Sequence, residues 1–181
     1  MKNFYEGLQV FPNASAQEIK DAFRFLLFRY HPDHNKGREE WAVQQTMELV
    51  EAYHILSDPV HRAHYDLLRT VRIREDTGKK NFSLFGKGRK VKQAETIFHQ
   101  AVGSYKEGEL EQAVQHFRKV RELYSECPNL GYNLAVVFLG MERLPECSNI
   151  LQEYVDGHRD DADARALLVK VIALAHKKDA G

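Results

Sequence analysis

The side chains best placed to do chemistry in this 181-residue sequence are nine histidines, two cysteines and a set of acids, and few of them stand together. The tightest constellation is His31-Pro32-Asp33. It sets an imidazole and a carboxylate on either side of a ring that fixes the backbone. Such a corner offers a hydrogen-bonding nitrogen and an anion to a partner, but it contains no nucleophile. His31-x-x-His34 and His61-x-x-His64 have a spacing that could share a helix face or a loop. No cysteine or convergent carboxylate accompanies them, so the expectation is surface histidines and no metal. Cys127 and Cys147 form no paired thiol motif, which argues against a disulfide framework and a zinc ribbon. They read as a loop thiol and a small packing residue. No local Ser/His or Cys/His motif supports catalysis, so neither an enzyme nor a bound cofactor is expected.

The composition is that of a chain able to bury a core, with 43% hydrophobic, 10% aromatic and 29% charged residues. Formal net charge is zero, so no global attraction to nucleic acid or anionic membrane is expected. Charge is nevertheless uneven. Residues 1–70 carry 8 Lys/Arg against 10 Asp/Glu, residues 71–92 carry 8 against 2, and residues 93–181 carry 10 against 14. The basic middle piece has three glycines and no helical apolar period, and reads as a flexible linker. The longest apolar run, Leu134 to Leu139, is too short to cross a bilayer, and the first dozen residues lack a secretion signal. With its unpaired thiols, the chain is expected in the cytoplasm, without membrane insertion.

Helix signals occupy the rest. Ser15-x-x-Glu18 is a capping box that starts a helix near Ala16, and Ile19, Phe23, Leu26 and Tyr30 follow at helical spacing. Pro32 closes that helix. A third helix is expected from about Glu39 to Leu56, and Asp58-Pro59 opens a fourth reaching about Leu68. No stretch alternates as a strand does, so the fold class is all-α. After the linker the sequence repeats itself at 34 residues: Ala101 returns as Ala135, Ala113 as Cys147, and Phe117 as Leu151. Gly108 and Glu142 mark equivalent turns, and Asp161 to Lys178 reads as a closing helix with acids first and lysines last.

Tyr30-His31-Pro32-Asp33, taken with Phe4-Tyr5, Leu8, Glu51-Ala52-Tyr53, Leu56-Ser57-Asp58 and Arg62-x-x-Tyr65-Asp66, closely resembles the J-domain family over roughly residues 1–70. The resemblance implies a four-helix domain that docks on a heat-shock seventy-kilodalton (DnaK-type) chaperone and promotes hydrolysis of its ATP. It assigns His31, Pro32 and Asp33 to the activating loop, and Lys20, Arg24 and Arg29 to the basic docking helix. That helix departs from the family: Asp21 interrupts the basic cluster, and Phe25 stands where a further base is common. Phe25 and Phe28 share a stripe away from the buried one. Two readings are open for them, packing against the repeats or linker, or a docking surface for a partner.

Residues 93–178 form the third segment, within which 94–157 resembles tetratricopeptide repeats, a scaffold whose concave groove binds peptides or proteins. Phe98, Tyr105, Tyr132, Asn133 and Phe138 are candidate groove residues, each also a candidate for the core. Asn133 occupies a position that some such repeats use to grip an acidic chaperone tail. Phe98, Val102, Asp163 and Leu167 occupy the others, which argues against that use. In the linker, Phe82 and Phe85 among the basic residues read as a solvated spacer, with nucleic-acid contact unlikely. The function expected is a co-chaperone that stimulates a DnaK-type chaperone, with the repeats holding a client or partner protein. The alternative is an interaction adaptor whose J domain stimulates poorly.

Overall fold

The computed structural model describes residues 2–75 and 89–179, and among these it contains helices and no strand. Two compact units divide between Asp66 and Leu67. The first holds α1 (Phe4–Gly7), α2 (Ala16–Tyr30), a 3-10 turn (Pro32–His34), α3 (Glu39–Ser57) and the start of α4 (Pro59–Thr70). The second holds the end of α4, an extended strap at 71–75, and α5 (Arg89–Glu107), α6 (Leu110–Leu123), α7 (Leu130–Gly140), α8 (Leu144–Gly157) and α9 (Ala162–Asp179).

Local chemistry starts the helices where the sequence marks them. The Ser15 hydroxyl accepts from the Glu18 amide while the Glu18 carboxylate accepts from the Ser15 amide, completing the box ahead of α2. Asp58 Oδ1 accepts from the amides of Val60 and His61, both at 2.8 Å, capping α4 behind Pro59. These amide bonds hold the Asp58 carboxyl below its usual range, the one from His61 foremost.

In the first unit, α2 and α3 run antiparallel, because Phe23 stacks on Tyr53 at 4.2 Å while Tyr30, further on, meets Trp41 near the start of α3. Ile19, Leu26, Leu49, Ala52 and Leu56 close the seam, with Tyr5 and Leu8 of the N-terminal turn wedged against it. A polar clasp fixes that wedge. Tyr5 donates to Asp66 at 2.9 Å and accepts from Arg62 at 2.9 Å, and Arg62 also donates to the carbonyls of Pro12 and Ala14.

In the second unit each helix packs on its chain neighbours, as stacked helical hairpins must. The repeat pairs Ala101/Ala135, Ala113/Cys147 and Phe117/Leu151 are all 0% exposed, so the 34-residue period is a packing period. Gly108 at φ +84° and Glu142 at φ +57° turn the chain at equivalent points. The first copy uses the residue that tolerates this geometry, and the second places a side chain there. α7 is apolar around its whole circumference, with Leu130 and Tyr132 through Leu139 buried. Such a helix needs cover on every side.

Two stretches of the expected linker, 71–92, belong to elements: Val71–Glu75 form the strap and residues 89–92 the first turn of α5. Phe82 and Phe85 lie outside the described residues.

A Cβ added at Gly108 would meet nothing within 4 Å, so a substitution there tests backbone conformation alone. Gly108→Ala should cost about 1–2 kcal/mol, read as a lower urea midpoint with an unchanged slope.

Candidate functional site

The first candidate surface is the exposed side of α2 together with the loop that follows it. Burying Ile19, Phe23, Leu26 and Tyr30 in one stripe turns Lys20, Asp21, Arg24, Phe25, Phe28 and Arg29 to the solvent. Asp21 forms no direct ion pair with its basic neighbours. Gln17 donates to both its carboxylate oxygens at 2.9 Å, and neither Lys20 nor Arg24 forms an ion pair among the described residues.

The corner after α2 is built from a proline, an imidazole and an asparagine. His31 is extended, as a residue before proline must be, and Pro32 opens the 3-10 turn. The Asp33 amide donates to His31 Nδ1 at 3.2 Å, so this nitrogen is an acceptor and Nε2 is the position left to carry the ring proton. Asp33's carboxylate is 85% exposed and lies 3.6 Å from the same Nδ1. Asn35 fastens the corner from below: its side-chain amide donates to the carbonyls of Arg29 at 3.0 Å and His31 at 2.9 Å. The Arg29 carbonyl lies in the last turn of α2, where intrahelical donors run out, and the His31 carbonyl also accepts from the His34 amide at 3.0 Å. Sequence reasoning passed over Asn35, although an asparagine two residues after His-Pro-Asp is a recognisable turn signal.

Phe25 and Phe28 are 65% and 68% exposed. Phe28 packs its ring on His34 at 4.4 Å, and His34 in turn meets His31 at 6.0 Å edge-on. An aromatic row therefore runs from the helix face into the loop. The geometry offers three cations, two exposed rings, a part-exposed imidazole and the carboxylates of Asp21 and Asp33, groups suited to recognition.

The second candidate surface lies in the repeat unit. Of the five residues proposed for its groove, three face the strap and two do not. Phe98 is fully buried and meets Phe117 of the next helix edge-on at 5.4 Å, so it is core of its own hairpin. Phe138 is 2% exposed under the Arg143 guanidinium and is core as well. Large apolar residues on the first helix of a pair pack toward its second helix before they can line a groove. Tyr132 and Asn133 meet the strap directly. The Arg74 amide donates to Asn133 Oδ1 at 2.8 Å, and Asn133 Nδ2 donates to the Arg74 carbonyl at 2.9 Å. The Arg74 guanidinium sits 3.6 Å over the Tyr132 ring centroid and forks onto the Asp161 carboxylate, with the second bond at 3.1 Å. It also donates to the Tyr154 hydroxyl at 3.2 Å. Tyr105 stands half-buried beside these groups; burial raises its phenol, and the Arg72 charge opposes that.

Asp161 has two tasks, since its Oδ1 also accepts from the Ala164 amide and caps α9. Arg74 holds its carboxyl down to about 2, and burial opposes that only in part. The sequence marked Asp161 as the start of the closing helix but gave no sign of its pairing with Arg74, 87 residues away.

No group of three or more His, Cys, Asp or Glu that could hold a metal ion occurs among the described residues. Cys127 and Cys147 are buried, and burial pushes both thiols up to about 12, out of reach of thiolate chemistry at neutral pH. No helix among the described residues is long and apolar enough to cross a membrane.

The family described as DnaJ domain matches residues 3–66, and the family described as Tetratricopeptide repeat matches residues 104–171. A chaperone protein DnaJ of Clostridium tetani is 51% identical over 69 residues, which are 38% of this chain and 18% of that protein. A DnaJ homolog subfamily B member 8 of Mus musculus is 38% identical over 105 residues, 57% of this chain and 46% of that protein. A chaperone protein DnaJ of Anaplasma marginale is 47% identical over 64 residues, covering 35% of this chain and 17% of that protein. The chain thus spans less than half the length of these relatives. No solved structure matches it.

The Asp161 carboxyl is depressed in the folded chain, so its contribution to stability is full above its unfolded value near 3.8 and is lost as pH falls toward about 2. The expected loss is about 2 kcal/mol, seen as an acid limb in chemical denaturation that Asp161→Asn flattens while lowering stability at pH 7.

Proposed function

From the premise that this chain carries a DnaJ domain followed by tetratricopeptide repeats, we propose that it is a co-chaperone that binds a DnaK-type chaperone, stimulates its ATP hydrolysis, and holds a partner polypeptide on its repeats. The observation that carries the first half is the fastened corner. His31, Pro32 and Asp33 are presented as a fastened tip by Asn35, next to a helix face on which Lys20 and Arg24 are exposed and form no ion pair among the described residues. Such a tip biases a two-state ATPase only by binding one of its states better, and a rigid tip loses less entropy in doing so. Lys20 and Arg24 supply encounter rate and salt-dependent attraction. Arg29, one turn before the corner, extends that charge.

The departure at Phe25 changes the character of the docking face without abolishing it. Phe25 and Phe28 add apolar area beside the cations, and Phe28 joins the loop through His34. We assign the two rings to the partner surface, where they would replace part of the electrostatic attraction by burial. The DnaJ names of the relatives support the chaperone reading for residues 3–66. Two free buried thiols are in keeping with a cytoplasmic site of action. The reading requires no cofactor and no chemistry in this chain.

Single-turnover ATP hydrolysis by a DnaK-type chaperone, with the wild-type chain and with His31→Gln, tests the proposal. Stimulation by the wild type should fall at least about tenfold in the variant, equivalent to about 1.4 kcal/mol in the barrier. Equal, near-basal rates would leave the J domain as a structural module of an interaction adaptor. Phe25→Ala with Phe28→Ala should weaken stimulation and leave its salt dependence unchanged, whereas Lys20→Ala with Arg24→Ala should flatten that dependence.

A further inference from the structure

The contacts between the strap and the repeats are those of a receptor and a peptide. The Asn133 amide pairs with one residue's backbone N–H and C=O as a neighbouring β-strand would, which reads the extended main chain and no side chain. Asn133 is 0% exposed, and the buried helix around it supplies no other partner for its amide. Side-chain selection comes next to it. Tyr132 offers a ring face, Asp161 a carboxylate placed for a two-pronged donor, and Tyr154 and Asn129 further oxygens at 3.2 and 3.4 Å. Only a planar guanidinium uses all of these together. A lysine would reach the carboxylate as a point charge and lose the fork and the ring contact. Flanking residues are read more loosely: Val71 is buried, Ile73 half-buried, and Glu75 pairs with Lys106 at 2.9 Å. Beside the strap an open groove of about 410 Å³, lined by Val71, Ile73, Tyr132, Leu167 and Lys170, leaves room along the same surface.

We infer that the surface under the strap, formed by Tyr132, Asn133, Tyr154 and Asp161, is a recognition site for a polypeptide segment bearing an arginine, and that residues 71–75 are its tethered occupant, which a partner segment of the same pattern displaces. The inference rests on the reading that the repeats bind a polypeptide, and it names the ligand class. It is independent of the chaperone-activating loop. A tethered occupant competes at an effective concentration on the order of 1 mM. A segment with an intrinsic Kd of ~10 μM is therefore held back about 100-fold in the wild-type chain, since only the open fraction can bind. The arrangement makes the repeats selective for partners that match the strap or exceed it.

The probe is a fluorescein-labelled peptide with the sequence of residues 70–75, Thr-Val-Arg-Ile-Arg-Glu, followed by anisotropy on the full chain. Arg74→Ala should bind it at least about tenfold more tightly than the wild type. A peptide with alanine in place of its second arginine should not bind, and adding Asp161→Asn to Arg74→Ala should abolish binding. Circular dichroism and a thermal melt establish that each variant is folded. Should Arg74→Ala fail to fold, Arg74→Lys keeps the charge without the fork, and it too should bind the peptide more tightly than the wild type. A folded variant that binds the peptide with and without its arginine equally well overturns the arginine specificity, and leaves the repeats as a polypeptide-binding surface. A folded variant that binds neither peptide overturns both that reading and the inference, and makes the strap a fixed part of the fold. Neither outcome bears on hydrolysis by the DnaK-type chaperone, which reads the loop alone.

Discussion

A polypeptide built from helices alone has no sheet to tie distant segments together, so it must bring helix axes close enough for facing side chains to interlock. That closeness needs a small residue wherever two backbones approach. Both units meet the requirement: Ala52 is 2% exposed in the first, and Ala101, Ala113, Ala135, Cys147 and Ala164 are all 0% exposed in the second. Large residues then fill the spaces between crossings, Phe117 and Leu151 at equivalent points of the two hairpins. Gly131 takes the idea furthest, since a Cβ there would lie 3.1 Å from the Tyr154 ring. Its bareness lets Tyr154 come up against α7, where its hydroxyl accepts from Arg74. The approach distance between helices thus decides where a functional oxygen stands.

The two candidate surfaces use opposite means of ordering a short irregular segment. The corner after α2 is held by its own neighbours: a proline, an amide-to-imidazole bond two residues long, and an asparagine that reaches back over the helix end. Its functional groups point outward because the local bonds use only backbone atoms and Nδ1. The strap at 71–75 has local bonds at its start, where Arg72 donates to the Val71 carbonyl, and position 74 is held by Asn133 of α7 and by Asp161 at the start of α9. Its arginine points inward and is consumed by the groove. One segment is ordered from within and leaves its side chains exposed, and the other is ordered from outside and buries its arginine.

This contrast explains what was legible in the sequence. Helix starts were visible because a cap and its amides lie within three residues, as at Ser15 and Asp58. The hairpin register was visible because the packing period repeats, so that Ala113 and Cys147 announce each other. The His-Pro-Asp corner was visible as a contiguous motif. Asn35 carried a turn signal, but the carbonyls it would bond leave no trace in residue identity. The strap was invisible for a deeper reason. Arg74 looks like one more basic residue in a basic stretch, and only the fold brings it to an aspartate 87 positions away. Phe98 and Phe138 stayed ambiguous between groove and core because an aromatic residue on the first helix of a pair has the same spacing whether it faces its partner helix or the groove, and burial places both in the core. A buried asparagine inside an apolar helix was the one local hint, since such a side chain must find partners somewhere.

The reciprocal amide pair at Asn133 also sets which changes that point of the strap can absorb over evolutionary time. Its two bonds use the backbone N–H and C=O of position 74, groups that nineteen of the twenty residue types share. The guanidinium chemistry can therefore drift or be lost there while the chain still lies in the groove with its register kept. Proline is the exception, because it removes the donated hydrogen and leaves the Asn133 oxygen buried without it. A lineage that altered its preferred side chain would change the cargo and keep the cradle; one that acquired proline at this point would lose the cradle itself.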